Sequence, residues 1–181
     1  VAAAKAKPGA INFASLGSGS TSHLTMEMFK STAGIQLNHV PYKGSPAAHA
    51  DVIAGQVPIM FDAIPATLPH MKSGKLRGLG IATSARSPFI PELPTIAESG
   101  YPGFEAVGWI GIVAPARTPE AVMNKLNAEM VRMLKEPDVK QRLDTLAFTP
   151  VGGTRAEFAA FIRSEIAKWG KAVRDSGAKA E

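Results

Sequence analysis

The chain has 181 residues, 45 % of them hydrophobic, which suits one ordinary domain or two small lobes. Its net charge of +5 is dispersed and only two Trp and two Tyr are present, so composition argues against nucleic-acid binding. The lack of cysteine excludes disulfides, thiolate catalysis and cysteine-based zinc sites, and no apolar run approaches the roughly 20 residues of a membrane-spanning helix.

The first nine residues are typical of the last turns of a helix that Pro8-Gly9 ends. A helix without its beginning indicates a fragment of something longer, so any targeting segment could lie outside this chain. We therefore treat residues 1–9 as the end of a truncated helix.

Short strand and helix patterns alternate over the next 75 residues. The predicted strands are 10–15, 37–41, 57–62 and 76–82, and the predicted helices are 21–33, 46–54 and 64–73. Glycines follow all three helices, and Ser45 and Pro46 are predicted as the N-cap and first residue of the second. Such alternation with short connections predicts parallel β-α-β units and therefore an α/β fold.

An irregular segment with many Pro and Gly residues follows over 84–104, and it includes a helical turn predicted at Thr95–Glu98 with Thr95 as its cap. Small residues then alternate with large ones over Ala106–Ala114, a pattern that predicts a long strand. Three amphipathic helices complete the chain. They are predicted to begin at Thr118-Pro119, at Pro137 and at a capping box over Thr154–Glu157, and Gly177 ends the last. The preceding strands are too few to be covered by all these helices, so we expect part of their sheet to be absent.

The glycine- and serine-rich loop from the end of the first strand to the start of the helix at 21–33 is the leading candidate site. Backbone N–H groups and the positive end of a helix dipole favour an anion such as a carboxylate or phosphate there. The candidate ligand-binding residues are Ser15, Gly17, Ser18, Gly19, Ser20, Thr21, Ser22 and His23. A flexible connector that caps a helix, with His23 only packing, is the alternative left open.

A second strand-to-helix turn, at Tyr42, Lys43 and Gly44, would lie beside the first if the strands are parallel. Tyr42 could supply an aromatic wall or a hydroxyl donor. Lys43 could supply a positive charge, and its alternative is a solvated surface lysine. Gly44 would let the backbone approach the ligand closely. Asp62 ends another strand and could orient water or accept from a ligand; its alternative is an N-cap for the helix at 64–73.

No enzymatic or metal motif accompanies these residues. The G-x-S-x-G elbow of serine hydrolases is absent, although His23 and Asp62 leave a small hydrolase acting on anions as an alternative. His39, His49 and His70 lack metal-ligand spacing and are interpreted as structural or exposed, and Trp109 is expected to pack. No cofactor and no catalytic residue is predicted.

Eight short motifs occur in an order that resembles one known family. They are the Gly/Ser loop ending in Ser22-His23-Leu24, Val40–Gly44, Gly55–Asp62, His70–Arg77, Leu93–Gly103, Trp109–Gly111, Ala114–Pro119 and Lys125–Asn127. Each is weak alone, but together they resemble the Bug family, the TctC-like substrate-binding receptors of tripartite tricarboxylate transporters. The resemblance runs from Val1 to about Gly177 and matches the C-terminal three-fifths of such receptors.

The resemblance implies a type II periplasmic-binding-protein-like fold with a carboxylate ligand between two lobes that close by a hinge. It implies that residues 10–106 form the second, ligand-binding lobe, and that residues 107–181 form a crossing strand and helices returning to an incomplete first lobe. Implied partners are a small carboxylate and transporter membrane subunits, in the periplasm. Because the C-terminal helices should expose an apolar face, we also expect self-association or strand exchange with a second copy through the incomplete lobe. The alternatives are the hydrolase and the effector-binding domain of a regulator.

Overall fold

The computed structural model describes residues 1–178, which form two compact units. The first unit comprises Val1–Gly108 with the chain from Trp169 on, and the second comprises Trp109–Lys168. The elements are α1 Ala2–Ala6, β1 Asn12–Ser15, α2 Thr21–Ala33, β2 Asn38–Pro41, α3 Ser45–Ile53, β3 Ile59–Met60, α4 Ile64–Lys72, α5 Glu120–Met133, α6 Pro137–Thr145 and α7 Arg155–Ser176.

The first unit is built on a parallel sheet in the order β2-β1-β3, as the α/β prediction requires. β1 pairs with β2 from Asn12↔Asn38 to Ser15↔Pro41 and with β3 at Phe13↔Ile59 and Ala14↔Met60. Because neighbouring parallel strands run the same way, the turns after all three strands lie at one edge of the sheet.

The central strand β1 is buried on both faces, and its successive side chains point to opposite sides of the sheet. Phe13, fully buried, packs with Met26 of α2 in one apolar cluster. Ala14, equally buried, packs with Ala48 of α3 in a second cluster. The two helices that begin at the edge therefore cover opposite faces of the same strand.

Glycine ends the predicted helices where the left-handed conformation is required. The α2 helix spans the predicted residues and stops at Gly34, whose φ of 60° closes the cap with bonds back to Lys30 and Ser31. The predicted N-cap of α3 is wrong by one residue: Gly44, at φ 107°, is the N-cap and Ser45 is the first helical residue. A serine side chain is not needed there because the glycine makes the turn by its backbone alone.

Two predicted strands are shorter than their apolar patterns indicated. The strand predicted over 57–62 is reduced to Ile59–Met60, and the strand predicted over 76–82 is wrong. Of the latter, only Ile81 forms a bridge, to Thr95, through Ile81 N–H to Pro94 O and Ile96 N–H to Ile81 O. A strand needs a neighbour along its whole length, and here the described chain offers one residue of pairing.

The long strand predicted over Ala106–Ala114, which includes the crossing strand, is not formed as a strand. Ala106 N–H bonds to Ala82 O, but no ladder continues after it within residues 1–178. Ile110 is 83 % exposed and Val113 77 % exposed, so both lack the covering that such an apolar run needs in a sheet. The segment carries a strand-like sequence without a partner strand.

The second unit has its own aromatic contacts. Trp109 meets the rings of Phe158 and Phe161 edge-on and donates its indole N–H to Glu165 at 3.1 Å, so it packs as predicted. Gly111 sits against the Phe158 ring where any Cβ would overlap it. Within residues 1–178, no helix combines the length and the apolarity that a bilayer crossing requires.

In the second unit, one predicted side-chain cap is formed and another is absent. At α7 the capping box forms in full, with Thr154 N–H donating to Glu157 Oε2 at 2.7 Å and Glu157 N–H to Thr154 Oγ1 at 3.2 Å. At α5 the predicted cap Thr118 is wrong, because the N-cap is Pro119 and no side chain bonds there. Pro137 begins α6 as predicted.

These two threonines form a matched pair for a stability test. We expect Thr154→Ala to lower the free energy of unfolding by about 1 kcal/mol, since the capping box is lost. Thr118→Ala should change it by no more than a few tenths of a kcal/mol, because that side chain caps nothing. Urea unfolding followed by circular dichroism measures both, and equal losses would refute the assignment of caps.

Candidate functional site

The loop after β1 and the turn after β2 are held side by side at the sheet edge. Tyr42 N–H donates to Ser15 O at 3.0 Å, one step beyond the last register pair of the strands. A Cβ on Gly17, whose φ is 124°, would lie 3.5 Å from Tyr42 O, so the two backbones approach closely there. The structure thus brings the two predicted turns together.

Most backbone N–H groups of the first loop are already bonded within it. The bonds run from Leu16 N–H to Ser22 Oγ (2.9 Å), Gly17 N–H to Ser15 Oγ (3.2 Å), Gly19 N–H to His23 Nδ1 (3.1 Å), Ser20 N–H to Gly17 O (3.2 Å) and His23 N–H to Ser20 Oγ (3.3 Å). These donors shape the loop and are not available to a ligand in this conformation.

The serine hydroxyls are also bonded to other groups of the protein. Ser15 is fully buried, and its hydroxyl donates to Gly17 O at 3.1 Å and lies 2.6 Å from His39 Nε2. Ser20 donates to Gly17 O at 2.7 Å and lies 3.3 Å from Ser22 Oγ, besides capping α2. Ser18 is half-buried at the loop tip, where it has partners of its own.

His23 lies beneath the loop rather than facing solvent. It is 6 % exposed, and its ring stacks on that of His39 with centroids 3.7 Å apart. Burial is the main cause that lowers the pKa of His23 below its usual 6.5, while Glu27 raises it and Lys30 lowers it further. Its Nδ1 accepts from Gly19, so the neutral ring supports the loop.

Donors without an internal partner remain at the first turns of the two helices. Within residues 1–178, the N–H groups of Thr21 and Ser22 at α2, and of Lys43, Gly44 and Ser45 at α3, make no hydrogen bond. These are the orphan donors that every α-helix leaves at its N-terminus, where the helix dipole is positive. Chemically, such a pair of adjacent turns can hold an anion.

In the second turn, the Tyr42 side chain is hydrogen-bonded to another described residue and the Lys43 side chain is not. The Tyr42 hydroxyl donates to Asp51 Oδ2 at 2.7 Å, and this bond raises the pKa of Tyr42 above its usual 10. Tyr42 therefore ties the turn to α3. Lys43 is exposed, and no described residue pairs with it.

Asp62 is directed into the protein, beside α3. Its side chain is 3 % exposed; Oδ1 accepts from Ala63 N–H at 2.7 Å and Oδ2 lies 2.9 Å from His49 Nε2. Despite that distance, these last two atoms lack hydrogen-bond alignment, and no described group satisfies either of them. The alternative of an N-cap is wrong because α4 begins after Ala63 and no side chain caps it.

Sequence reasoning missed three residues that shape the edge: His39, His49 and Asp51. Of these, His39 carried a usable signal, because parallel pairing in register places it directly beside Phe13, which it contacts. The other two are helical residues whose partners lie in turns distant in sequence, and no local pattern indicates that pairing. Among the described residues, no group of three or more His, Asp or Glu is placed to hold a metal ion.

An open pocket of about 260 Å³ with a mixed polar and apolar lining lies elsewhere in the first unit. It is lined by Leu68, Met71, Lys72, Leu76, Gly78, Phe89, Ile90, Glu92 and Leu93. It contains none of the predicted site residues, so the candidate site is the open sheet edge rather than this cavity.

The buried Asp62–His49 pair makes a direct test of the edge. We expect Asp62→Ala to cost about 1–3 kcal/mol of stability, since it removes a buried carboxylate 2.9 Å from His49 Nε2 and leaves the Ala63 N–H without its acceptor. The control is Asp144→Ala, which removes an exposed pair with Lys140 and should cost well under about 1 kcal/mol. Equal urea midpoints for the two variants would contradict the role given to the pair.

Proteins of known sequence and structure resemble this chain over nearly its whole length. BugT of Bordetella pertussis is 38 % identical over 179 residues, which cover 99 % of this chain and 55 % of that protein. The structure of R. palustris Rpa4515 with adipate matches with a TM-score of 0.88 and 33 % identity, over 98 % of this chain and 59 % of that one. MatC from Rhodopseudomonas palustris, with bound malate, matches with a TM-score of 0.80 and 31 % identity over 95 % and 60 %.

The chain spans about half the length of most of the curated relatives it matches. Its neighbours among solved structures include periplasmic solute-binding proteins, which confirms the periplasmic-binding-protein-like fold. The sequence profile of the tripartite tricarboxylate transporter family receptors, TctC, matches residues 1–178. This chain therefore belongs to the TctC family of tripartite tricarboxylate transporter receptors, to which the Bug proteins are similar.

Proposed function

We propose that this chain supplies one side of the cleft of a solute receptor that binds a small organic anion, a carboxylate or dicarboxylate, without transforming it. Membership of a receptor family supports this proposal, as do the adipate and malate named with two structural neighbours. The observation that carries it is the pair of adjacent helix starts whose backbone donors have no internal partner.

In this proposal, backbone N–H groups bind the ligand and side chains fix the shape of the loop. The N–H groups of Thr21 and Ser22 hold one carboxylate oxygen, and those of the turn from Lys43 to Ser45 hold the other or a bridging water. Gly44 lets the ligand approach the backbone, and the exposed Lys43 ammonium attracts the anion. Ser18 adds a hydroxyl at the loop tip.

The remaining predicted residues hold the two turns in place and do not contact the ligand themselves. Ser15, Gly17, Gly19, Ser20 and His23 fix the loop by the bonds described above. Tyr42 fixes the second turn on Asp51, and the Asp62 carboxylate lies beside α3, 2.9 Å from His49 Nε2.

Hydrolysis is less well supported than binding. The Ser15 hydroxyl lies beside an imidazole at hydrogen-bond distance, 2.6 Å from His39 Nε2. Ser15 is fully buried, so no substrate carbonyl could reach its oxygen. Nothing in the described residues favours a regulator's effector domain over a receptor.

Location and partners follow from the family. We propose that the protein acts in the periplasm, like the periplasmic binding proteins among its structural neighbours. Its lobes would close on the ligand by a hinge, and the closed form would dock on transporter membrane subunits.

Removal of a single backbone donor tests the site. Ser20 has φ −63° and ψ 158°, a conformation that accepts a following proline, and Thr21 is the first residue of α2. Thr21→Pro thus deletes one N–H while the helix is kept. We expect it to weaken adipate or malate binding roughly tenfold or more, the loss of one hydrogen bond to a charged group.

Thr21→Ala keeps the N–H and is the matched control, with affinity near that of the unsubstituted chain. Amide NMR titration measures both, and the shifts should cluster at residues 21–22 and 43–45. Since a chain of half the relatives' length offers one side of a cleft, we expect binding weaker than micromolar. Micromolar affinity, shifts that cluster elsewhere, or equal affinity for the two variants would contradict the proposal.

We also propose that a second copy of this chain covers the apolar surface of the second unit, by association or strand exchange. Ile112 is 67 % exposed, Val151 93 % and Ile166 67 %, and the unpaired segment 107–114 presents free backbone groups as a strand edge does. Multi-angle light scattering should give a mass that rises with concentration. A folded chain that stays monomeric over the whole range would refute this assembly.

A further inference from the structure

Two imidazoles lie face to face beneath the first loop. The rings of His23, on α2, and His39, on β2, have centroids 3.7 Å apart and planes 5° from parallel. Phe13 of β1 lies beside this pair, with its ring centroid 5.0 Å from that of His39 and 6.1 Å from that of His23. His23 is 6 % exposed, so a charge on its ring would be poorly solvated.

Each ring holds a different part of the loop. His39 Nε2 lies 2.6 Å from Ser15 Oγ, which in turn bonds both the N–H and the carbonyl of Gly17. His23 Nδ1 accepts the Gly19 N–H at 3.1 Å. A ring nitrogen that accepts a hydrogen bond carries no proton, so this contact requires neutral His23 with its proton on Nε2.

The charged groups that act on His23 lie on its own helix. Glu27 Oε1 is 3.6 Å from His23 Nε2, but that carboxylate is already paired with Lys30 Nζ at 2.7 Å. Facing the ring from β2 is His39, and β1 contributes the uncharged Phe13 and Ser15. Burial, the largest effect, lowers the pKa of His23, and Lys30 adds to this against the opposing effect of Glu27.

We propose that His23, held flat against His39, is a positioning residue that latches the Leu16–Ser20 loop only while its imidazole is neutral. A proton on Nδ1 turns the acceptor of the Gly19 N–H into a second donor, so that bond is lost. It also places a cation against another titratable ring in a poorly solvated position. The loop then opens and carries with it the start of α2.

The consequence for binding rests on the proposed function. The unpaired N–H groups of Thr21 and Ser22 follow directly on the latched loop, so their alignment depends on it. Acidification therefore weakens the anion site by opening the loop that precedes it.

The direction of the pH effect follows from linkage. The pKa of His23 is lower in the latched state than its ordinary 6.5, so the open state binds the proton more readily. Stability of the latch is full above about pH 6.5 and is lost as pH falls toward the lower pKa of the latched state. In that interval the opening equilibrium rises up to about tenfold per pH unit.

Hydrogen exchange of the Gly19 amide, measured by NMR on the 181-residue chain without ligand, tests the latch from pH 8 to pH 5. We expect its protection factor to fall by up to about tenfold per pH unit below about pH 6.5. His23→Gln offers a carbonyl acceptor that does not titrate, so protection should then be independent of pH. His70→Gln replaces a histidine of α4 that contacts the His49 ring and not the His23–His39 pair, and this variant should behave as the unsubstituted chain does.

A second measurement needs no substitution. The imidazole ¹⁵N shifts of His23 should show the proton on Nε2 at pH 8, and their titration midpoint should coincide with the Gly19 transition. A proton on Nδ1 at pH 8, constant protection in the unsubstituted chain, or a persistent transition in a folded His23→Gln chain would overturn the proposal. Because no ligand is present, these outcomes are separate from the fate of the proposed receptor function.

Discussion

The parallel pairing of β1 with β2 and β3 is the constraint on which the candidate site depends. Parallel strands must end at the same edge, and each connection must return over a face of the sheet, so the helices that follow β1 and β2 both begin at that edge. With Phe13 facing α2 and Ala14 facing α3, a single strand anchors both helices. Two helix N-termini converge there as a result of topology, before any polar side chain is considered.

Local hydrogen bonding then decides which donors remain at the edge. A glycine- and serine-rich loop indicates many exposed N–H groups, but Ser15, Ser20, Ser22 and His23 bond most of them internally. What is left are the donors that an α-helix cannot satisfy by itself, at Thr21 and Ser22 and at the turn before α3. The loop's side chains thus give it a fixed shape, while the backbone of the helix starts gives the edge its positive potential.

The sequence allowed the local features of this fold to be predicted because their causes are local. Gly34 ends α2 and the Thr154–Glu157 box begins α7 through contacts within a few residues. Strands depend on distant partners, and the apolar residues of 106–114 formed no strand for that reason.

The candidate site shows the same division. The position of the two turns could be predicted from strand and helix order, and the structure brings them together as Tyr42 N–H meets Ser15 O. The direction of individual side chains could not be predicted, since His23 and Asp62 are polar residues beside a proposed anion site and yet both are buried. Their partners, His39 and His49, become neighbours only through the register of β1 with β2 and the packing of α3.

The contact between Ser15 and His39 illustrates why burial decides between binding and catalysis. A serine hydroxyl 2.6 Å from an imidazole has the distance of a nucleophile and its base. Here the hydroxyl also donates to Gly17 O and accepts from Gly17 N–H, and it lies at the end of a central strand with no exposed surface. Its proton and lone pairs are therefore committed to the loop. The same two groups that could attack a substrate at a surface instead fix the backbone on which the proposed anion site depends.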